Sequence, residues 1–228
     1  MVINTKDNKM VVQGIIINCL AMFSMLFFSY ATFAASITLN VTDQHGQPLP
    51  NAVIELNVQG PDIGVEKLPR IIMDQVDKRF APTLLIARKG QQVNFPNSDN
   101  IRHHVYSFSK AKPFQLKLYS GQPDKPIEFD SSGVVVLGCN IHDSMVGYIY
   151  VANSAYVYQS DSEGGVVLDD VTLPAQITLW HSTQTIPLEE KASLTLSKDT
   201  VGSLTVVIPT QSPKPRNTFG NKFKANND

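Results

Sequence analysis

Short stretches of alternating apolar and polar residues recur along most of the chain. Residues 36–42 (SITLNVT) and 52–58 (AVIELNV) have this two-residue period, and the turn-forming segment DQHGQPLPN separates them. This pattern predicts two strands joined as a β-hairpin. Further strand-like stretches lie at residues 83–87, 92–95, 104–108, 115–119, 126–129, 133–138, 146–152, 155–158, 166–168, 176–180, 193–196 and 203–208. Many short strands without a 3.6-residue period predict an all-β protein, built as a sandwich or barrel.

The N-terminal segment departs from this pattern. Lys6 and Lys9 precede an uncharged apolar run at residues 10–42, within which the small residues ATFA end at Ala34. A basic start, an apolar run and a small-residue cleavage site predict a signal peptide over residues 1–34 and export to the periplasm. The alternative is an uncleaved membrane anchor, because the apolar run is nearly long enough to span a bilayer.

Export changes the meaning of the two cysteines in the chain. Cys19 would leave with the signal peptide, so Cys139 would be the only thiol of the mature protein and would have no partner for an internal disulfide. A lone thiol in an oxidising compartment is a liability unless it is buried or bound to a ligand. Composition adds an exclusion: the formal net charge of -1 gives no electrostatic basis for binding nucleic acid.

Cys139 begins the motif C-x2-H-x2-M, which continues through His142 to Met145 in the stretch GCNIHDSM. A short loop with this spacing can turn a thiolate, an imidazole and a thioether toward one point. This donor set suits copper, whereas zinc would favour a fourth strong ligand. The alternative for Cys139 alone is a small buried residue of a core strand.

A copper site of this kind needs a second histidine from another strand. The candidates, His103 and His104, follow a polar turn in VNFPNSDNIRHHVYSFS. Because side chains alternate across a strand, these two should face opposite sides, and only one can readily bind the metal. The register favours His103, and His104 stays open as the alternative.

These two stretches together resemble the cupredoxins, the blue-copper proteins, and more narrowly the amicyanin- and plastocyanin-like, methylamine-utilisation-type branch. The resemblance covers residues 79–152 of a copper-binding unit predicted over residues 70–152, and in the family's strand and turn pattern His103 holds the place of the first ligand. The resemblance implies a Greek-key β-sandwich with one type 1 copper ion bound by His103, Cys139, His142 and Met145. His104 stands where the family commonly has an asparagine that ties the two ligand loops together.

The segments on either side of this unit resemble the opening hairpins of carboxypeptidase-regulatory or transthyretin-like modules. The resemblance implies that residues 35–60 and 153–210 form a second small β-sandwich that flanks or encloses the cupredoxin unit. The polar end, residues 211–228, is predicted to be disordered. The stretch MDQ at residues 73–75 carries no recognisable chemistry.

Together these features predict an exported, monomeric copper protein that passes single electrons to a redox protein partner. An enzyme is not expected, because a methionine-capped four-ligand site leaves no open position for a substrate. Two alternatives remain at this point: a periplasmic protein that binds and delivers copper, and a metal-free structural module.

Overall fold

A computed structural model describes residues 35–57 and 68–212. The predicted signal peptide, the end of the second predicted strand and the predicted disordered tail beyond residue 212 lie outside the described residues. Every described strand belongs to the compact unit Ala34–Asp228. In this described part, no helix is long and apolar enough to cross a membrane.

The described residues form strands, turns and loops, with no helix among them, as the alternating pattern predicted. The predicted all-β class is therefore confirmed. The strands are β1 Ala35–Thr42, β2 Val53–Leu56, β3 Ile71–Ile72, β4 Asp74–Val76, β5 Arg79–Ala81, β6 Leu84–Arg88, β7 Gln91–Asn94, β8 His103–Ser107, β9 Phe114–Tyr119, β10 Ile127–Phe129, β11 Gly133–Cys139, β12 His142–Ala152, β13 Val157–Gln159, β14 Gly165–Val171, β15 Ala175–Trp180, β16 Ala192–Leu196 and β17 Gly202–Val207.

Four of the sheets form two sandwiches. The first sandwich combines the sheet β14-β1-β17 with the sheet β13-β2-β15-β16, and the second combines β6-β12-β11-β8-β9 with β10-β7-β3. Strands β4 and β5 form a separate two-stranded hairpin. The first sandwich is built from the two flanking segments, so the prediction of a cupredoxin-like sandwich with an additional β-sandwich is confirmed.

The predicted pairing of the first two strands is wrong. Strand β1 pairs with β14 and β17, whereas β2 pairs with β13 and β15 in the opposite sheet. The segment between them carries Pro48 and Pro50, which have no N–H to continue a ladder, and Asn51 lies in the left-handed region at φ 65°. The chain thus crosses the core, and Leu39 and Ile54 pack into one apolar cluster from its two sides.

The cupredoxin-like sandwich encloses a second apolar core. Its members come from both sheets and include the predicted metal-site residues Cys139 and Met145. Strands β3, β4 and β5 lie in a region whose prolines and glycine give it an irregular sequence pattern, and each is only two or three residues long. Strands this short cannot show a two-residue period.

The two sandwiches meet through a third apolar cluster. Val53 and Trp180 of the first sandwich pack with Val134, Tyr150 and Ala152 of the second. Strand β2 is consequently covered on both faces, and all four of its residues are buried.

A buried polar network crosses the same interface. The Glu55 carboxylate accepts hydrogen bonds from the Tyr150 hydroxyl at 2.7 Å and from the backbone N–H groups of Asn153 and Ser154 at 2.6 and 2.7 Å. Lys191 Nζ lies 3.2 Å from the same carboxylate and 3.0 Å from the Tyr150 hydroxyl. Each group in the network thereby offsets the cost of burying the others.

The hairpin β4–β5 packs against strand β12 at a position that only glycine fits. A Cβ atom on Gly147 would lie 2.8 Å from the Phe80 Cβ and 2.9 Å from two of its ring carbons. We expect Gly147→Ala to lower the free energy of unfolding by about 1–3 kcal/mol, the usual cost of overpacking a core, measured by denaturant titration. The same substitution in a Phe80→Ala background, which removes the ring carbons, should cost less, and strictly additive effects would contradict this contact.

Candidate metal centre

The turn between β11 and β12 places Cys139 and His142 opposite each other on the two strands. The two residues are register partners at the end of the hairpin, with Asn140 and Ile141 as the intervening turn. Cys139 is 3% exposed and ends a strongly buried strand. The stretch GCNIHDSM is thus a tight hairpin end that fixes the thiol in place from the core side.

A shift in register next to this turn places Met145. Gly138 pairs with Val146, but the next residue of β11, Cys139, pairs with His142, so residues 143–145 bulge from the ladder. A bulge re-aims the side chains that follow it. Met145 is 1% exposed and belongs to the same apolar cluster as Cys139.

Strand β8 supplies the first histidine. His103 is fully buried and His104 only partly so, in keeping with the alternation along the strand. Strand β8 is the neighbour of β11, and Val105 pairs with Cys139. His103, two residues from Val105, therefore shares a face with the thiol.

Three donor atoms converge at this point. The Cys139 Sγ lies 3.7 Å from the His103 Nδ1 and 3.8 Å from the His142 Nδ1. All three atoms lie within 4.8 Å of one another, and the two imidazole rings have centroids 4.9 Å apart. The structure thus brings together three predicted site residues. Along the chain, His103 lies 36 residues before Cys139, and His142 lies 3 residues after it.

The orientation of His103 is set by Asp99. The His103 Nε2 lies 2.6 Å from Asp99 Oδ2. Because a carboxylate only accepts hydrogen bonds, Nε2 carries the proton and donates it to Asp99. The other ring nitrogen, Nδ1, then directs its lone pair toward the Cys139 sulfur. Asp99 also accepts hydrogen bonds from the backbone N–H groups of Asp77 and Lys78, at 2.7 and 2.9 Å. Burial alone would raise the pKa of Asp99, but the hydrogen bonds from Lys78, His103 and Asp77 outweigh it and hold that pKa below its usual range.

The pKa of the second imidazole, His142, lies below its ordinary value. Burial lowers the pKa of His142, and the positive charge of Lys78 lowers it further against the opposing charge of Asp99. Because a metal binds the neutral ring, a low pKa favours metal binding at neutral pH.

His104 occupies the outer face of the strand. Its Nε2 lies 2.7 Å from the Gln115 Nε2 on β9, and its ring stacks at 5.8 Å from that of Tyr106. Within the described residues its Nδ1 has no hydrogen-bond partner. The side chain is thus engaged with Gln115 of β9 on the outer face of the strand.

The sequence patterns assigned no role to two groups of residues that lie around the site. The stretch MDQ and the following turn contact the loop before His103, and Asp99 orients that histidine. A carboxylate four residues before a candidate ligand is a usable signal, because metal-binding histidines commonly donate their second N–H to a carboxylate. Asp74 and Gln75 give no such signal, since their role depends on which loop lies next to them.

Comparison with known proteins adds structural neighbours only. No family model matches the chain, and no curated protein matches it. Among solved structures, a Cu-containing nitrite reductase from Thermus scotoductus SA-01 is 26% identical with a TM-score of 0.36, covering 42% of this chain and 25% of that one. This chain thus spans about a quarter of that protein.

Two smaller proteins are covered almost completely. A reduced Cu(I) form of an amicyanin mutant is 18% identical with a TM-score of 0.32, covering 43% of this chain and 97% of its own. A purple cupredoxin from Nitrosopumilus maritimus is 22% identical with a TM-score of 0.31, covering 37% of this chain and 100% of its own. In each case the likeness is confined to less than half of this chain. The narrower resemblance to methylamine-utilisation proteins stays a prediction from the sequence.

Proposed function

We propose that this protein is a mononuclear copper protein that carries single electrons, with His103, Cys139, His142 and Met145 as the metal ligands. The observation that supports the proposal is the convergence of one buried thiol and two imidazole Nδ1 atoms, with Met145 buried in the same core. Of the two adjacent histidines, His103 is the proposed metal ligand and His104 is not.

The residues fit a metal ion by distance and by chemistry. Metal–nitrogen and metal–sulfur bonds of about 2.0–2.3 Å, opened by about 110–120°, separate the two donor atoms by about 3.6–3.8 Å. The separations of Cys139 Sγ from the two Nδ1 atoms, 3.7 and 3.8 Å, agree with this value. The donor set of one thiolate, two imidazoles and a thioether favours copper over zinc.

Copper bound by this set would alternate between Cu(II) and Cu(I) and so transfer one electron at a time. The protein's part is to keep the donor atoms in one arrangement for both states. Buried strands hold Cys139 and His103, and the apolar cluster around them excludes water. His142 is partly exposed, so its outer edge offers the shortest route between the site and another protein.

We further propose that the protein acts after export, in the periplasm, as a monomer that meets a redox protein partner. Residues 1–34 support export by their sequence, and a small transient contact at His142 is the form such an encounter takes. Function as an electron carrier rather than an enzyme follows from the proposed ligand set, in which all four positions are occupied by the protein.

Adjacent histidines provide a direct test. We expect copper-loaded His103→Ala to lose the intense visible absorption of a copper–thiolate bond and to bind copper more weakly, whereas His104→Ala should retain both. The two variants remove the same side chain one residue apart, so each controls for the other. Retention of the band in His103→Ala with its loss in His104→Ala would contradict the assignment.

Electrochemistry separates electron transfer from copper delivery. We expect the copper-loaded protein to show fast, reversible one-electron cycling by protein-film voltammetry. Capture of Cu(I) without cycling would favour delivery, and absence of copper after expression with the metal would favour a structural module.

A further inference from the structure

A small hairpin lies against the loop that leads to His103. We call residues 74–81, which contain β4 and β5, the cap hairpin, and residues 95–102 the first-ligand loop. The Ser98 hydroxyl donates to Asp74 Oδ2 at 2.8 Å, and the Ser98 N–H lies 3.3 Å from Asp74 Oδ1 and 3.0 Å from the Gln75 carbonyl oxygen. One residue of the loop is therefore held by a side chain and by the backbone of β4.

The turn of the cap hairpin holds the next residue of the loop. Asp77 and Lys78 lie in the left-handed region at φ 51° and 57°, as the two central residues of a tight hairpin turn. Non-glycine residues adopt this conformation only where their surroundings impose it. Here the conformation directs both backbone N–H groups onto the carboxylate of Asp99, at 2.7 and 2.9 Å.

A buried side chain fastens the start of the loop. Gln75 is fully buried, and its amide nitrogen donates to the Pro96 carbonyl oxygen at 2.9 Å and to the Tyr119 hydroxyl. Tyr119 in turn donates to the Phe95 carbonyl oxygen at 2.7 Å. Burial raises the pKa of Tyr119 to about 12, so the phenol keeps the proton that it donates.

The cap hairpin is itself anchored on the strand that carries the other ligands. Phe80 of β5 is 2% exposed and lies in the apolar core against Gly147 of β12. The cap hairpin therefore bridges two structural elements: the first-ligand loop and the strand that carries His142 and Met145.

We propose that the cap hairpin is a positioning element for His103: it fixes Asp99, and Asp99 in turn holds the His103 ring with Nδ1 toward the Cys139 sulfur. This inference rests on the proposed function for the identity of the metal, but the positioning of the ring is a property of the metal-free protein. A ring held from outside the metal has no need to reorient when the ion changes charge, which suits a site that must keep one arrangement in two states.

The test weakens the hairpin's hold on the loop by removing the contacts of the Asp74 side chain with Ser98, and it leaves Asp99 and His103 unchanged. Asp74→Ala deletes the acceptor for Ser98, and Ser98→Ala is a milder second variant that deletes only the hydroxyl. Asp77→Asn is the matched control, because it also removes one negative charge from the hairpin, tolerates the left-handed conformation, and retains the backbone N–H that contacts Asp99. Thermal unfolding of each variant establishes that it is folded.

Three measurements are made on each variant. In the metal-free protein, nitrogen-15 NMR reports the fraction of His103 with its proton on Nε2. In the copper-loaded protein, the rate of copper loss to a chelator and the electron-spin hyperfine coupling report how well the ligand is held. We expect Asp74→Ala to reduce the Nε2–H fraction and to speed copper loss by up to about tenfold, because losing the ligand's own hydrogen-bond partner, which this variant keeps, weakens metal binding by about 10–100-fold.

Ser98→Ala should change both in the same direction by less, and Asp77→Asn should match the wild type. An unchanged proton position and an unchanged rate in folded Asp74→Ala would overturn the inference, and so would an equal effect of Asp77→Asn. If the wild type binds no copper while Asp74→Ala still shifts the His103 proton, the positioning role stands and the proposed function fails.

Discussion

Copper-loaded Cys139→Ser is expected to lose the intense visible band altogether and to become pale. The band of a type 1 site arises from the thiolate bound to copper, and a serine hydroxyl cannot replace a thiolate as a soft, anionic donor. Loss of a hydrogen-bond partner of a ligand typically weakens metal binding by about 10–100-fold. Loss of the thiolate itself should weaken copper binding by more than that. Visible absorption and electron-spin spectra of the loaded protein, with a competition titration for affinity, measure both effects.

The matched control is Ile141→Ala, in the turn between the two proposed ligands Cys139 and His142. Ile141 is 52% exposed and offers no donor atom, so its truncation should leave the band in place. A Cys139→Ser spectrum that matches the wild type would refute the copper–thiolate site, whichever histidines take part.

Glu55→Ala is expected to lower the free energy of unfolding by about 3–5 kcal/mol, the usual cost of breaking a buried ion pair by removing one partner. Glu55 is 2% exposed and accepts hydrogen bonds from Tyr150, Asn153 and Ser154 in addition to the contact with Lys191. Its removal leaves a cation and several N–H or O–H groups without their acceptor between the two sandwiches. Denaturant titration of the metal-free protein measures the change.

A graded pair of controls separates charge from hydrogen bonding. Glu55→Gln keeps an acceptor of the same shape and should cost less than Glu55→Ala. Glu55→Ala combined with Lys191→Met should recover part of the loss, because no uncompensated cation then remains. Equal losses in Glu55→Gln and Glu55→Ala would assign the effect to charge alone.

The same network predicts a dependence on pH. Burial raises the pKa of Glu55, but the hydrogen bonds from Ser154, Tyr150 and Asn153 and the charge of Lys191 outweigh it, so the folded-state pKa lies below the ordinary value. A depressed pKa stabilises the folded state above the unfolded value of about 4.3, and that contribution is lost as the pH falls through the folded pKa. The difference in stability between wild type and Glu55→Gln should therefore shrink on acidification below about pH 4.

Local sequence patterns predicted the strands near the metal centre well. The alternation around His103 and His104 placed them on opposite faces, because the side-chain period of a strand is a property of the backbone. The spacing of Cys139, His142 and Met145 indicated a donor cluster, because residues three and six apart can approach one another where a short turn reverses the chain. The bulge at residues 143–145, which departs from simple alternation, was not foreseeable from that spacing.

The pairing of strands that are distant in the chain could not be predicted from the sequence patterns. The stretches that became β1 and β2 read as a hairpin, since two alternating runs flank a turn-rich segment. Whether such runs pair with each other or cross a core depends on apolar strands more than 100 residues away, here β14 and β15.

The burial of a single residue, Glu55, could not be predicted from the sequence pattern either. In AVIELNV it occupies the place of a solvent-facing polar side chain, yet it lies buried, because the cupredoxin-like sandwich covers the outer face of its sheet. Asp74 and Gln75 carry no motif at all, and their contacts exist only because the cap hairpin folds onto the first-ligand loop.

The all-β class, the chemical identity of the candidate donors and the spacing that groups three of them could all be predicted from the amino-acid sequence. These are local properties, set by covalent distance and by the period of a strand. The folded structure was needed to show that His103 faces the thiol, that Asp99 contacts both His103 and the cap hairpin, and that Glu55 joins two sandwiches. Each of these depends on which distant surfaces exclude water from one another, and that is settled by the packing of the whole chain.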